Sequence, residues 1–319
     1  MKPSIHSVRL NRVPLVPAQP DQAFTLTELL VVLGTLALLA LLLVPALAGT
    51  KIDTWRIQCQ NNLKQLQVGF QLFAQDHGDM YPPAGWASGS ATASSYQITW
   101  DCWINKYIGG NLPDADLDLG AVFVSQGNQA LSLEVCPADT FPKVNWIGGN
   151  NPWFALKSYS MVSCGPNQGT DYQRSPTLGL PNLNQPGELG IGIYWQSTSA
   201  TTPNFDALGF PTSVVRDPAG TILLCENTHG QQIAGNIWTC ICLGPQGAGD
   251  LYQIDPTAPP QNPNSATSVN EGGLLYAAHW NRFNYLFHDG HVAALSVQQT
   301  VGSGTLTSPK GMWTVVTGD

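Results

Sequence analysis

The sequence predicts an α+β protein in which one long N-terminal helix, transmembrane over about 27–48 and a stalk over 49–74, packs on a loop-rich antiparallel β-sheet body. Three observations carry that prediction: an almost wholly apolar run over 29–47, a helical apolar stripe that continues to Phe73, and short β-rich runs between Gly- and Pro-rich stretches from residue 78 onward.

At about 1.5 Å per residue the apolar run reaches across a ~30 Å hydrocarbon core. A secretory signal would have a shorter apolar region with a small-residue cleavage site after it, and here the plausible processing point comes before the run. That point reads Gln22-Ala23-Phe24-Thr25-Leu26-Thr27-Glu28. Glu28 is an ionisable side chain at the start of a span, so a specific positive partner is expected, and a newly freed α-amine would serve. Positive charge leaves the orientation open, because Lys2, Arg9 and Arg12 precede the span and Lys51, Arg56 and Lys64 follow it.

Past Gly49, Ile52, Trp55, Cys59, Leu63, Leu66, Phe70 and Phe73 recur at three- and four-residue steps, with Lys51, Gln58, Asn61, Lys64 and Gln71 on other faces. One helix over 24–74 would be roughly 75 Å long, its outer half laying an apolar stripe against the body. His77-Gly78-Asp79 and Tyr81-Pro82-Pro83 end it, since Gly accepts left-handed geometry and Pro cannot continue the hydrogen-bond ladder.

From residue 78 the runs 131–135, 158–162, 221–224, 274–278 and 284–287 read as strands, and the Pro/Asn-rich stretch 255–268 as a surface loop. No internal repeat or linker divides the body. Charged residues are 11% of the 319-residue chain, against roughly 25% in average domains, while Gly and Pro are plentiful, as in loop-rich exported β-proteins. Up to Ala74 there are six Lys/Arg against three Asp/Glu, and beyond it seven against eighteen. An acidic body repels phosphate backbones, so no nucleic-acid partner is expected.

The seven cysteines form no CxxC pair and no standard zinc spacing. In a periplasmic body the six after Cys59 could pair in any of fifteen ways, leaving Cys59 as the odd one.

The segment around Ala23, Phe24 and Glu28 resembles the class III signal of type IV pilins and type II secretion pseudopilins. That resemblance implies cleavage between Ala23 and Phe24 by a prepilin peptidase, methylation of Phe24, and Glu28 as the fifth mature residue. Pro45 then falls where the family commonly has a helix-loosening proline. Ala23, where the family usually has Gly, and a long leader with Pro14, Pro17 and Pro20 are departures. The implied organisation is a leader at 1–23, a helix at 24–77 and a globular domain at 78–319. The implied placement is single-pass in a bacterial inner membrane, N-terminus cytoplasmic, with the body periplasmic or extracellular in a filament.

A second resemblance covers the body. Cys136-Pro137-Ala138-Asp139, Ser158-Tyr159-Ser160-Met161 and Thr221-Ile222-Leu223-Leu224-Cys225-Glu226 are followed by His279, nine intervening residues and Asp289-Gly290. This resembles the prepilin-processing-associated family with its His-x9-Asp-Gly domain, here over 279–290.

Asp289-Gly290 is also a two-residue hairpin signal, which would set His288 and His291 opposite one another, close enough to gather a metal with Asp289. Solvent-facing histidines are the plainer reading. His279 reads as structural, held by backbone carbonyls or by Asp289. Asp114, Asp116 and Asp118 would share one face of an extended segment, as in a calcium site, but the EF-hand pattern fails and a solvated acidic face is the plainer reading. No GxSxG, HExxH, P-loop or Rossmann pattern is present, so no enzyme activity and no cofactor is expected. Trp86, Trp103, Trp146 and Trp153 are weak candidates for stacking sugars.

The resemblances together imply a structural subunit of a type II secretion or type IV pilus-like filament. Its partners would be prepilin peptidase, other pilin-like subunits and an inner-membrane assembly platform. A membrane-anchored protein that captures a solute or glycan is the alternative, and a metallohydrolase using His279, His288 and His291 ranks last.

Overall fold

The computed structural model describes residues 25–88, 96–120, 132–140, 154–164, 173–174, 190–197, 202–228, 232–242, 244–245, 279–306 and 308–318, for 42–52, 173–174, 196–197 and 238 the backbone alone. The chain divides into two compact units, Met1–Gly49 and Thr50–Asp319. Helix α1 (Leu26–Asp76) contributes to both and runs through position 45 without a break.

In the first unit α1 begins on a reciprocal cap. Glu28 donates its N–H to Thr25 Oγ1 at 3.3 Å, and the Glu28 carboxylate accepts from the Thr25 N–H at 2.9 Å and hydroxyl at 2.7 Å. This is the Thr-x-x-Glu arrangement that satisfies orphan donors at a helix start. Beyond it Leu26, every residue from Leu29 to Leu33, and Leu36, Leu38, Leu39 and Leu41 are exposed.

The expected transmembrane span is corrected here. Among the described residues no helix is long and apolar enough to cross a membrane.

In the second unit the stripe is where its period puts it: Cys59, Leu63, Leu66, Phe70 and Phe73 are all buried in the core. Phe70 stacks on Trp100 with ring centroids 5.5 Å apart. The buried polar side chains of α1 are used to bind loops. The Asn62 amide donates to the carbonyls of Ser132 and Val135 at 3.3 and 2.9 Å, and Gln67 to that of His288 at 3.0 Å. The helix stops as read, with Gly78 at φ 64° and the Asp79 N–H reaching back to the Ala74 carbonyl at 2.8 Å.

Two sheets form the rest of this unit, and both are mixed, which corrects the expected antiparallel body. In one, β1 (Gly85–Ser88) pairs antiparallel with β2 (Gln97–Thr99) and parallel with β5 (Tyr194–Ser197), which pairs parallel with β4 (Gln173–Arg174). In the other the order is β7-β3-β6-β8-β9, from β3 (Tyr159–Val162), β6 (Ile222–Glu226), β7 (Ile241–Cys242), β8 (Phe283–Phe287) and β9 (Val292–Leu295). Only its β3·β7 edge is parallel. Chain alternation cannot reveal such pairings, because they join segments far apart in sequence.

The expected strands at 158–162, 221–224 and 284–287 correspond to β3, β6 and β8. The expected strand at 131–135 is instead a 3-10 turn over Ser132–Glu134, and 274–278 and the loop 255–268 lie outside the described residues.

The hairpin at Asp289-Gly290 joins β8 to β9, with a loop one residue longer than expected. Leu286 pairs with Val292, the Phe287 N–H donates to the His291 carbonyl at 3.0 Å, and Gly290 has φ 92°. Three loop residues closed by a left-handed Gly make the common three-residue hairpin. That extra residue breaks the expected facing of His288 and His291. His288 turns into the core, its Nδ1 3.0 Å from the Tyr81 hydroxyl, while exposed His291 stacks on Phe287 and lies 2.6 Å from Asp289 Oδ1.

Candidate functional site: a buried Cys–His–Glu centre

Four segments converge on one buried point. Helix α1 brings Cys59 on its core-facing stripe, and the turn after Ser132–Glu134 brings Cys136. Strand β6 ends in Glu226, and the residues before β8 bring His279. Trp280 and Asn281 both have φ 58°, a left-handed pair that turns the chain between His279 and β8. A bulky residue such as Trp is held there only where its surroundings over-determine the backbone.

Cys59 and Cys136 form a disulfide, which corrects the expectation that Cys59 is the unpaired cysteine. The reason is legible in the stripe: Cys59 sits one turn from Leu63 on the face the body covers. Cys102, Cys164, Cys225, Cys240 and Cys242 are buried and outside disulfides.

His279 Nε2 lies 3.2 Å from Cys136 Sγ and 3.2 Å from Glu226 Oε1. All four side chains are fully buried, and their donor atoms lie within 4.8 Å of one another. The Glu226 carboxylate is further held by β8, accepting the Asn284 backbone N–H at 2.7 Å and its side-chain amide at 2.8 Å. Gln60 of α1 donates in turn to Asn284 Oδ1 at 3.0 Å. His279 Nδ1 has no partner among the described residues. Two sulfurs, an imidazole nitrogen and a carboxylate oxygen make a donor set that a transition metal could use.

A second buried polar group lies at Lys157. Its ammonium donates to Asp101 Oδ1 at 2.8 Å, and Asp101 also accepts from the Thr99 hydroxyl and the Gly235 N–H, both at 2.7 Å. Burial would lower the Lys157 amine, but Asp101 beside it makes the net shift upward. Burial, reinforced by the Asp101 charge, pushes the Glu134 carboxyl well up, and the side chain borders a cavity of about 10 Å³. Lys157 and Asp101 satisfy one another, while Glu134 Oε2 is buried with no hydrogen-bond partner among the described residues.

The other sequence candidates fall as follows. His279 is held by Glu226 and Cys136, while Asp289 bonds to His291, so the motif's His and Asp serve different neighbours. Asp114 and Asp116 lie on a short helix, Asp114–Leu117, with Asp118 just after it; the segment is not extended and does not present alternating carboxylates. The only cluster of three or more metal-ligating side chains among the described residues is the one at Cys59, Cys136, Glu226 and His279, so neither the aspartates nor His288 with His291 form one. Trp86 and Trp103 are core residues, unavailable for stacking sugars, and Trp146 and Trp153 lie outside the described residues, as do Ala23 and Phe24. Pro45 falls within α1.

Comparison with models of protein families, with curated proteins and with solved structures finds no match.

Proposed function

We propose that the chain is a pilin-like structural subunit, cut between Ala23 and Phe24 by a prepilin peptidase and built into a type II secretion or type IV pilus-like filament. The observation that carries this is the surface of α1 from Leu26 to Leu41. Residues 29–33 are five consecutive exposed Leu and Val, and at 100° per residue they lie all around the helix. A helix apolar on every side requires cover, and copies of the same helix packed side by side provide it.

Glu28 is the one ionisable group in this stretch. In the isolated chain it is taken up by Thr25; in a filament it would exchange that cap for a neighbouring subunit's N-terminal amine. The body would be exported, and the assembly platform and other subunits would be its partners.

Two measurements test this. Peptide mapping of the native protein should find a mature chain starting at N-methylated Phe24; an intact Met1 terminus in cells with active peptidase overturns it. Glu28→Ala leaves an amine without its counter-charge, typically several kcal/mol in a dry interface, so filament yield should fall by at least about tenfold while the body still folds. Normal yield refutes the pairing.

A further inference from the structure

The buried centre described above has a feature its disulfide form does not explain. A single imidazole nitrogen, His279 Nε2, points at both a sulfur and a carboxylate oxygen at the same 3.2 Å. It has at most one proton to donate, and a disulfide sulfur is a weak acceptor. The Glu226 carboxylate has no Lys or Arg ion partner among the described residues although it is fully buried. A group that is positively charged and accepts electron pairs would satisfy all of these atoms together.

We propose that the dithiol form of the protein binds one Zn²⁺ through Cys59 Sγ, Cys136 Sγ, His279 Nε2 and Glu226 Oε1. Zinc bonds of about 2.0–2.3 Å in a tetrahedron set neighbouring donor atoms roughly 3.3–3.8 Å apart. The Nε2 distances of 3.2 Å to Cys136 Sγ and to Glu226 Oε1 already approach that spacing, and all four atoms fall within 4.8 Å. Sulfur and nitrogen donors exclude calcium and magnesium as the natural occupant.

Outer contacts are in place as well. Asn284 fixes the carboxylate from β8, and Gln60 fixes Asn284 from α1, so the ligand arrives oriented. On binding, each thiol releases its proton as its Zn–S bond forms, and no electron is transferred. The disulfide has no thiolate to offer, so zinc and disulfide exclude one another. Conversion from disulfide to dithiol takes two electrons and two protons: two thiols supply both and leave as a disulfide, or a phosphine supplies the electrons and water the protons, leaving phosphine oxide.

The test uses the full chain, prepared once oxidised and once reduced without oxygen, exposed to zinc and desalted. The reduced protein should retain about one zinc per chain and the disulfide form none. Cobalt in the reduced protein should show thiolate charge-transfer absorption and the intense visible bands of tetrahedral coordination. The Cys59→Ser/Cys136→Ser chain should lose the metal, and Glu226→Gln, which preserves shape, should weaken binding by at least about tenfold. A reduced chain that takes up no zinc overturns the proposal. So does undiminished zinc in the double serine chain, which would place the metal on other thiols. Should that chain fail to fold, unchanged affinity in Glu226→Gln overturns it instead.

Discussion

His288 shows how one residue's surroundings set a property of the whole protein. Its ring is buried against Tyr81, and burial pushes its pKa down to about 3, against a smaller upward pull from Asp289. The same burial pushes Tyr81 up to about 12, so the pair stays neutral across the ordinary pH range. The folded pKa lies below the ordinary value of about 6.5, so the unfolded chain takes up the proton first as pH falls. His288 thus contributes stability that is complete above about pH 6.5 and is lost toward pH 3, by up to about 1.4 kcal/mol per pH unit. Glu134 works with the opposite sign, since its raised carboxyl favours the fold at low pH. Thermal melts of wild type and His288→Asn over this range isolate the histidine: their difference should shrink steadily as pH falls, and a constant difference refutes the assignment.

At the scale of elements, α1 is defined by what its faces meet. Gly69 stands where the helix approaches the segment 104–108; a Cβ there would lie 2.6 Å from Ile108 Cγ2 and 3.3 Å from Ile104 Cβ. Helix propensity alone would favour Ala over Gly by about 1 kcal/mol, so the glycine is kept for contact. Gly69→Val should destabilise the protein by about 1–3 kcal/mol in urea denaturation, through overpacking. An unchanged midpoint would mean that Ile108 moves aside freely. The β8–β9 hairpin carries a parallel lesson: Asp289-Gly290 marks its place in the sequence, but the loop length that sends His288 inward is set by the register, which depends on how β8 pairs with β6 and β9.

For the whole molecule, the Cys59–Cys136 bond joins α1 to the segment between β2 and β3 across 77 residues. Closing a loop of that length removes unfolded-state entropy equivalent to about 4–5 kcal/mol. Reduction in the presence of a chelator should therefore lower the unfolding free energy by up to that amount, read as a fall in the denaturation midpoint. Adding zinc to the reduced chain should restore much of it, because ligands from four segments are again tied together. If reduction leaves the midpoint unchanged, the bond contributes nothing to the fold.

The helix through Phe73 and its stop at Gly78, the core-facing stripe, three of the strands and the position of the hairpin are all legible in local sequence. Each of these follows from local periodicity or from a turn residue with a required backbone geometry. The Thr25-x-x-Glu28 cap is a local pattern of the same kind. Tertiary structure alone decided the mixed sheets, the inward turn of His288 and the meeting of Cys59, Cys136, Glu226 and His279. Those four lie on segments spread over two-thirds of the chain, with no fixed spacing among them. Their approach is set by helix–sheet packing and strand order, long-range contacts that leave no periodic trace in the sequence.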